Sequence, residues 1–339
     1  MGIVTKLRRI AGAAVAIPLL AFASGASAEP LKMVTWGGVW QKTFQQIAAD
    51  YQAKTGQEVA VTAQGSTDAM LARLIAQRDK PEFDIWTPNM INYVRAVRAG
   101  ILEPMASVKI DQPGIASRYK LSHGVVTWIS QRGIFYRKDL APFEITGWKD
   151  LWDPRLKGKL GQPAAQFDAG YWPLAAAVAF GGDLSNLEPG WKALAALKPN
   201  TAAFYTNNVQ SVRMLEAGEI AVVGWGVLPN IIPYLGPDSK YRFVIPTPSF
   251  VAETPVSMLK GSKNIEAAGR FIDYILSPDV QTKLAAAFGS TPANSKAETP
   301  ALITSLGFDP AKAYPVDYGA LADKLDSILD RYEREVMVR

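Results

Sequence analysis

The stretch "TWGGVWQKT", residues 35–43, places Trp36 and Trp40 around the glycine pair Gly37-Gly38. An indole at such a position has three uses: packing in a core, anchoring at a membrane, or walling a ligand site with a π face that attracts cations. The glycine pair hints at a phosphate loop, but both the G-x-G-x-x-G and the G-x-x-x-x-G-K-[ST] spacings are missing. Other reactive residues are scarce. His123, in "LSHGVV", is the only histidine and has no partner at metal-ligand spacing, so it reads as a structural residue and no metal or cofactor is expected. No cysteine is present to act as a nucleophile, and neither G-x-S-x-G nor H-E-x-x-H occurs. A carboxylate pair across a cleft could cut a glycosidic bond, yet no feature of the sequence brings a particular pair together. A glycoside hydrolase therefore remains only a distant alternative, and the chain reads as a binder rather than an enzyme.

The elements that would position such residues begin after an unusual N-terminus. Lys6, Arg8 and Arg9 precede the apolar run "IAGAAVAIPLLAFA", which ends in Ala26-Ser27-Ala28. A basic start, a short greasy stretch and an A-x-A site describe an export signal, residues 1–28, cleaved before Glu29. The run is too short for a comfortable membrane span. Losing it takes three basic residues and no acidic ones, so the formal charge falls from +5 to +2. No Lys/Arg block remains, and nucleic acid is not an expected partner. The 339 residues are long enough for two lobes with cores of their own.

Strands and helices then alternate. "LKMVTW" and "QEVAVTA" read as strands. Between them Trp40, Phe44, Ile47, Ala48 and Tyr51 fall at helical spacing, with Gly56 beyond the helix end. Ser66 or Thr67 caps a second helix, "FDIWT" is a buried strand, and Asn89 caps a helix closed by Gly100. The β-α-β-α-β order predicts a mainly parallel sheet covered by helices. "GVVTWISQRGIFYR" is long and strand-like and opens a second round of alternation. That round includes a helix from Tyr171, the strand "EIAVVGW", the strand "YRFVIPTP" and a last amphipathic helix through Leu321, Leu325, Ile328 and Tyr332.

In "ITGWKDLWDPRLKGKL", "ALKPNTAAFYTNN" and "RFIDYILSPDVQTKLAAAFGSTPAN" the chain resembles periplasmic solute-binding proteins of ABC importers, of the spermidine/putrescine-binding type. The resemblance covers nearly all of the mature chain. It implies a two-lobed α/β fold (the type II periplasmic-binding architecture) with a ligand cleft between lobes joined by crossing strands. By analogy lobe one takes residues 29–131 plus 252–290, and lobe two 132–251 plus 291–339. It further implies a monomer in the periplasm, holding a small-molecule ligand and docking on an inner-membrane permease with its ATPase.

The same resemblance assigns the site. The first strand ends at the cleft, so Trp36, with Gly37 beside it, becomes the ligand wall and Trp40 the packed face of the next helix. Asp168 matches one of the family's two carboxylates, and Trp225, in "VVGWG", matches an aromatic at a strand end. The second carboxylate position holds Tyr171. The W-x-D motif before the late strand falls on Ala252, Glu253 and Thr254, where a one-residue shift restores Glu253 as the acid. Arg132 stands where the family has a small residue. Its guanidinium is a fork suited to carboxylate or phosphate-like oxygens, and helix N-termini at Ser66-Thr67 and Asn89 would add N–H groups for an anion. Two readings stand for Arg132, a ligand contact or a structural salt bridge with Asp139. Two also stand for Asp168, a ligand acid or a helix cap before Tyr171. The expected solute is a polyamine or an amino-acid-like zwitterion, with a small carboxylate, betaine or phosphonate as the alternative.

Overall fold

The computed structural model describes Met1, Gly2 and residues 29–338 apart from Gln166 and Ala169, so the expected export signal falls almost wholly outside the described residues. The first strand, β1 (Leu31–Trp36), buries Leu31, Met33, Val34 and Thr35. Helix α1 (Val39–Thr55) lays Phe44, Ile47, Ala48 and Tyr51 on the sheet and stops at Gly56, whose φ of 77° only glycine adopts cheaply. Strand β2 (Val59–Gln64), α2 (Thr67–Ala76), β3 (Ile85–Trp86) and α3 (Met90–Arg98) complete the first alternation. Both β2 and β3 pair in parallel with β1. The caps foreseen at Ser66 and Asn89 form: Ser66 Oγ accepts from the Ala69 N–H and Asn89 Oδ1 from that of Asn92.

After the short β4 (Lys120–Leu121) comes β5 (Gly124–Arg137), with the limits of the strand-like stretch. The second alternation is β6 (Leu160–Pro163), α4 (Tyr171–Ala179), α5 (Glu188–Ala196), β7 (Thr201–Tyr205), α6 (Asn208–Ala217) and β8 (Val222–Val227). Strand β6 pairs in parallel with both β7 and β8. The chain then runs through β9 (Tyr241–Val244), β10 (Phe250–Met258), α7 (Ile265–Ile275), α8 (Pro278–Phe288), β11 (Thr291–Pro292), α9 (Ala301–Ser305) and α10 (Tyr318–Tyr332).

The strands form a sheet in the order β2-β1-β3-β10-β5-β8-β6-β7, with β4, β9 and β11 added on β5. It is mixed, where alternation alone predicted mainly parallel. The parallel trios β2-β1-β3 and β7-β6-β8 are joined through β10 and β5, which pair antiparallel with each other and with the trio each one meets. Alternation predicts direction inside a βαβ unit; it carries no information about strands that cross between two units.

Those two strands also divide the packing. Val125, Val126, Trp128 and Ile129 of β5 belong to the cluster under β1, α1 and α8. Ile134 and Tyr136 belong to the cluster around α4 and α10. In β10 the hand-over lies between Phe250, in the α4 and α10 cluster, and Val251. Where β5 passes from one core to the other its residues are polar and still buried: Ser130, Gln131 and Arg132. Gly133 follows because the chain is crowded there, and a Cβ at that position would lie 2.1 Å from the Val244 carbonyl oxygen. Gly133→Ala should therefore cost about 1–3 kcal/mol or more, read as a lowered urea midpoint with an unchanged slope. A midpoint within about 0.5 kcal/mol of wild type would show that β5 and β9 separate easily.

Candidate functional site

Parallel strands aim their C-terminal ends one way, and ligands settle beyond those ends, beside the N-termini of the helices that follow. Here both trios aim at one cleft of ≈ 410 Å³. From the first trio come Trp36 at the end of β1, Gly65 to Asp68 after β2, and Asn89 and Met90 after β3. From the second come Phe167 and Asp168 after β6, Asn207 and Asn208 after β7, and Val227 and Asn230 at the end of β8. The floor is the crossing pair, with Trp128, Ser130 and Arg132 from β5 and Ala252, Glu253 and Thr254 from β10.

One ion pair dominates the cleft. Arg132 Nη2 donates to Asp168 Oδ1 at 2.8 Å, with both side chains nine-tenths buried. The Arg132 guanidinium lies over the Trp225 ring, 5.9 Å from its centroid. Arg132 Nε and Asp168 Oδ2 are buried without a hydrogen-bond partner among the described residues. Asp168 also has a φ of 84°, a left-handed conformation that aspartate visits more readily than most residues. Burial pushes its carboxyl up to about 6, against the opposing pull of Arg132. The salt bridge considered between Arg132 and Asp139 does not form, since Asp139 pairs with Arg137 instead. Nor does Asp168 cap the helix: the residue before α4 is Gly170, and no side chain caps that end.

Two further acids line the cleft, Asp68, which pairs with Arg95 at 2.8 Å, and Glu253. Glu253 has no ion-pair partner among the described residues, and burial raises its carboxyl above the usual range while a hydrogen bond with Tyr318 and the charge of Arg118 act the other way. Tyr171, at the missing acid's position, is buried beside Tyr318 in an edge-on contact with centroids 6.2 Å apart. Burial holds its hydroxyl neutral at any working pH.

Of the residues expected from the sequence, Trp36, Asn89, Arg132, Asp168, Tyr171 and Glu253 come together in the cleft. Trp225 does not line it. Its ring is fully buried, stacked on Trp148 at 5.4 Å and packed against Trp172 and Phe250, so it backs Arg132 from the core. Gly37 sits in the turn behind Trp36, also outside the lining. The Asn89 and Ser66 caps face the cleft with their side chains already occupying helix N–H groups, which weakens both ends as anion sites. Trp40 does both jobs, packing on Phe288 at 6.0 Å and lining the cleft. Trp128, Asn207, Asn208 and Asn230 went unforeseen. The asparagines stand just after strands β7 and β8, a position that sequence alternation does reveal.

Two layers of helix around a sheet, with a polar and aromatic cleft at the strand ends, define an α/β ligand-binding protein. The chain belongs to the family of bacterial extracellular solute-binding proteins, whose profile matches residues 46–308. It is 27% identical over 304 residues to a probable ABC transporter periplasmic-binding protein of Sinorhizobium fredii, covering 84% of this chain and 81% of the relative. It is 25% identical over 284 residues to spermidine/putrescine-binding periplasmic protein 1 of Haemophilus influenzae, covering 78% and 76%. The crystal structure of an ABC transporter protein from Clostridium perfringens superposes with a TM-score of 0.75 at 24% identity, covering 90% and 99%. Among the described residues no helix is long and apolar enough to cross a membrane. Proteins of this family serve ABC transporters by binding a small ligand and delivering it to a membrane permease; their fold and family are those of binders.

The raised Asp168 carboxyl gives a stability test. A group whose pKa rises on folding, here from 3.8 to about 6, supports the fold fully below 3.8, and that support is lost as the pH climbs through 6. The neutral isostere Asp168→Asn should match wild type at pH 4 and be more stable at pH 8, by about 3 kcal/mol. Chemical denaturation at the two pH values measures this. A variant less stable than wild type at pH 8 would mean that the ion pair outweighs the cost of its burial.

Proposed function

We propose that this chain is the periplasmic substrate-binding component of an ABC importer, taking a small organic solute that carries an ammonium group, of polyamine or amino-acid-like type. The observation that carries the reading is the composition of the cleft. Arg132 pairs with Asp168 and Arg95 with Asp68, which leaves Glu253, hydrogen-bonded to Tyr318, as the acid without an ion pair in a lining that also holds Trp36, Trp40 and Trp128. A carboxylate near indole faces in a partly dry site attracts an ammonium by charge and by cation–π contact. The relative named for spermidine and putrescine supports the same class. A small carboxylate, betaine or phosphonate is the second reading, favoured by the guanidinium at the other end of the cleft.

The mechanism follows from the crossing strands. By the same analogy lobe one is residues 29–131 plus 252–290 and lobe two is 132–251 plus 291–339. The lobes turn about β5 and β10, the solute enters the open cleft, and closure buries it for presentation to the permease. Export precedes all of this, with the chain cut after Ala28 and released into the periplasm.

The protein from the periplasm should have an intact mass beginning at Glu29, and it should bind its solute reversibly, one to one, without turnover. At a hundred times the dissociation constant the solute should add about 2.7 kcal/mol of stability. Trp36→Ala should weaken an ammonium solute roughly 10-fold, as loss of a desolvated cation–π contact predicts. A product detected by mass spectrometry would turn the reading toward hydrolysis. Unchanged affinity in Trp36→Ala would place the solute elsewhere.

A further inference from the structure

The cleft has a second pole, and its chemistry is opposite to that of Glu253. Arg132 Nε, Asn230 Nδ2 and Trp225 Nε1 are buried donors without an acceptor among the described residues. Arg132 and Asn230 both line the cleft, and the backbone places them together. Arg132 is in register with Val227 across the β5–β8 pair, and Asn230 follows three residues after Val227 in the turn that leaves β8. Trp225, two residues before Val227, lies against the guanidinium from behind. A buried N–H left unpaired is costly, and the two that line the cleft, on Arg132 and Asn230, ask for an acceptor.

We infer that the Arg132–Asn230 corner receives a carboxylate of the solute, so that the cleft takes a zwitterion whose ammonium lies toward Glu253: an amino acid with its two charges at opposite ends. The inference rests on the cleft being the solute site, and it names the class within that reading. A diamine fits this pole poorly, because its second ammonium would face the Arg132 guanidinium; Asp168 Oδ1 is engaged by that guanidinium, and Oδ2 is the one acid oxygen left there. A phosphonate dianion fits less well than a carboxylate, because Asp168 adds like charge beside it. The arriving carboxylate competes with Asp168 for Arg132, and Asp168 answers by taking a proton, which its buried position already favours. The other groups facing Asp168 are Arg132 on β5 and the hydroxyls of Tyr171 on α4, Tyr205 on β7 and Tyr332 on α10, which burial holds neutral. Glu253, on β10, influences Tyr171 across the floor of the cleft.

Calorimetry on the protein from the periplasm tests this with ω-amino acids of three to six carbons, and with diamines and monoamines of matched length. The best amino acid should bind at least 10-fold more tightly than the matched monoamine or diamine. Its affinity should rise from pH 8 to pH 6, with proton uptake revealed by buffers of different ionisation enthalpy. Asn230→Ala should cost the amino acid about 10- to 100-fold, a larger loss than the monoamine suffers. Asp168→Asn should strengthen amino-acid binding and flatten its pH dependence. If amines bind with sensitivity to Trp36→Ala and no amino acid of the series does, the carboxylate corner is wrong while the cleft stands. If an amino acid binds indifferently to both Trp36→Ala and Asn230→Ala, the cleft itself is wrong. No binding by any amino acid of the series overturns the proposal.

Discussion

The buried pair between Arg132 and Asp168 is the constraint around which the cleft is organised. Taking two charges out of water costs several kcal/mol each, and their attraction repays this only with good geometry and further hydrogen bonds. Here a single 2.8 Å contact joins them while one atom of each lacks a partner among the described residues. A pair kept for stability would be better satisfied than this. Burial outweighs the pull of Arg132 and raises the Asp168 carboxyl.

The rest of the fold holds those two residues in place. Arg132 belongs to the crossing strand at the point where burial passes from one hydrophobic cluster to the other, so its guanidinium cannot retreat into either. Trp225, clamped by Trp148, Trp172 and Phe250, blocks one side of it and offers a π face. Asp168 sits on the tight turn between β6 and α4, with a backbone conformation that strands and helices do not use. Such local strain persists where the surroundings over-determine it, and it gathers at functional sites. The opposite wall is built from parallel strand ends, and Trp36 is there because β1 ends there.

Much of this was legible in the sequence. Alternation exposed the two parallel trios, and "GVVTWISQRGIFYR" marked β5 through its length and its β-branched and aromatic residues. Periodicity also exposed α1 and α10. The mixed sheet was not legible, since strand direction across a crossing pair is set by tertiary packing. Trp36 and Glu253, assigned through a resemblance in motif order, both line the cleft. Trp225 was misplaced by the same route, because a strand-end aromatic reaches the cleft or the core according to which face it occupies, and β8 is buried on both faces. The partner of Arg132 was missed because residues 36 apart in sequence meet only through the β5–β8–β6 order. Asn230 follows a strand end, but its orphaned amide is a property of packing that no spacing records.

On the proposed reading one small solute spans the cleft, with Trp36 and Glu253 at one end and Arg132 and Asn230 at the other. A crystal structure of the protein with the solute selected by calorimetry measures this directly. Solute density is expected between those four side chains, with an ammonium near Glu253 and an acceptor oxygen within hydrogen-bond distance of Arg132 or Asn230. Density elsewhere on the molecule, with this cleft holding only water and the Arg132–Asp168 contact unaltered, would contradict it.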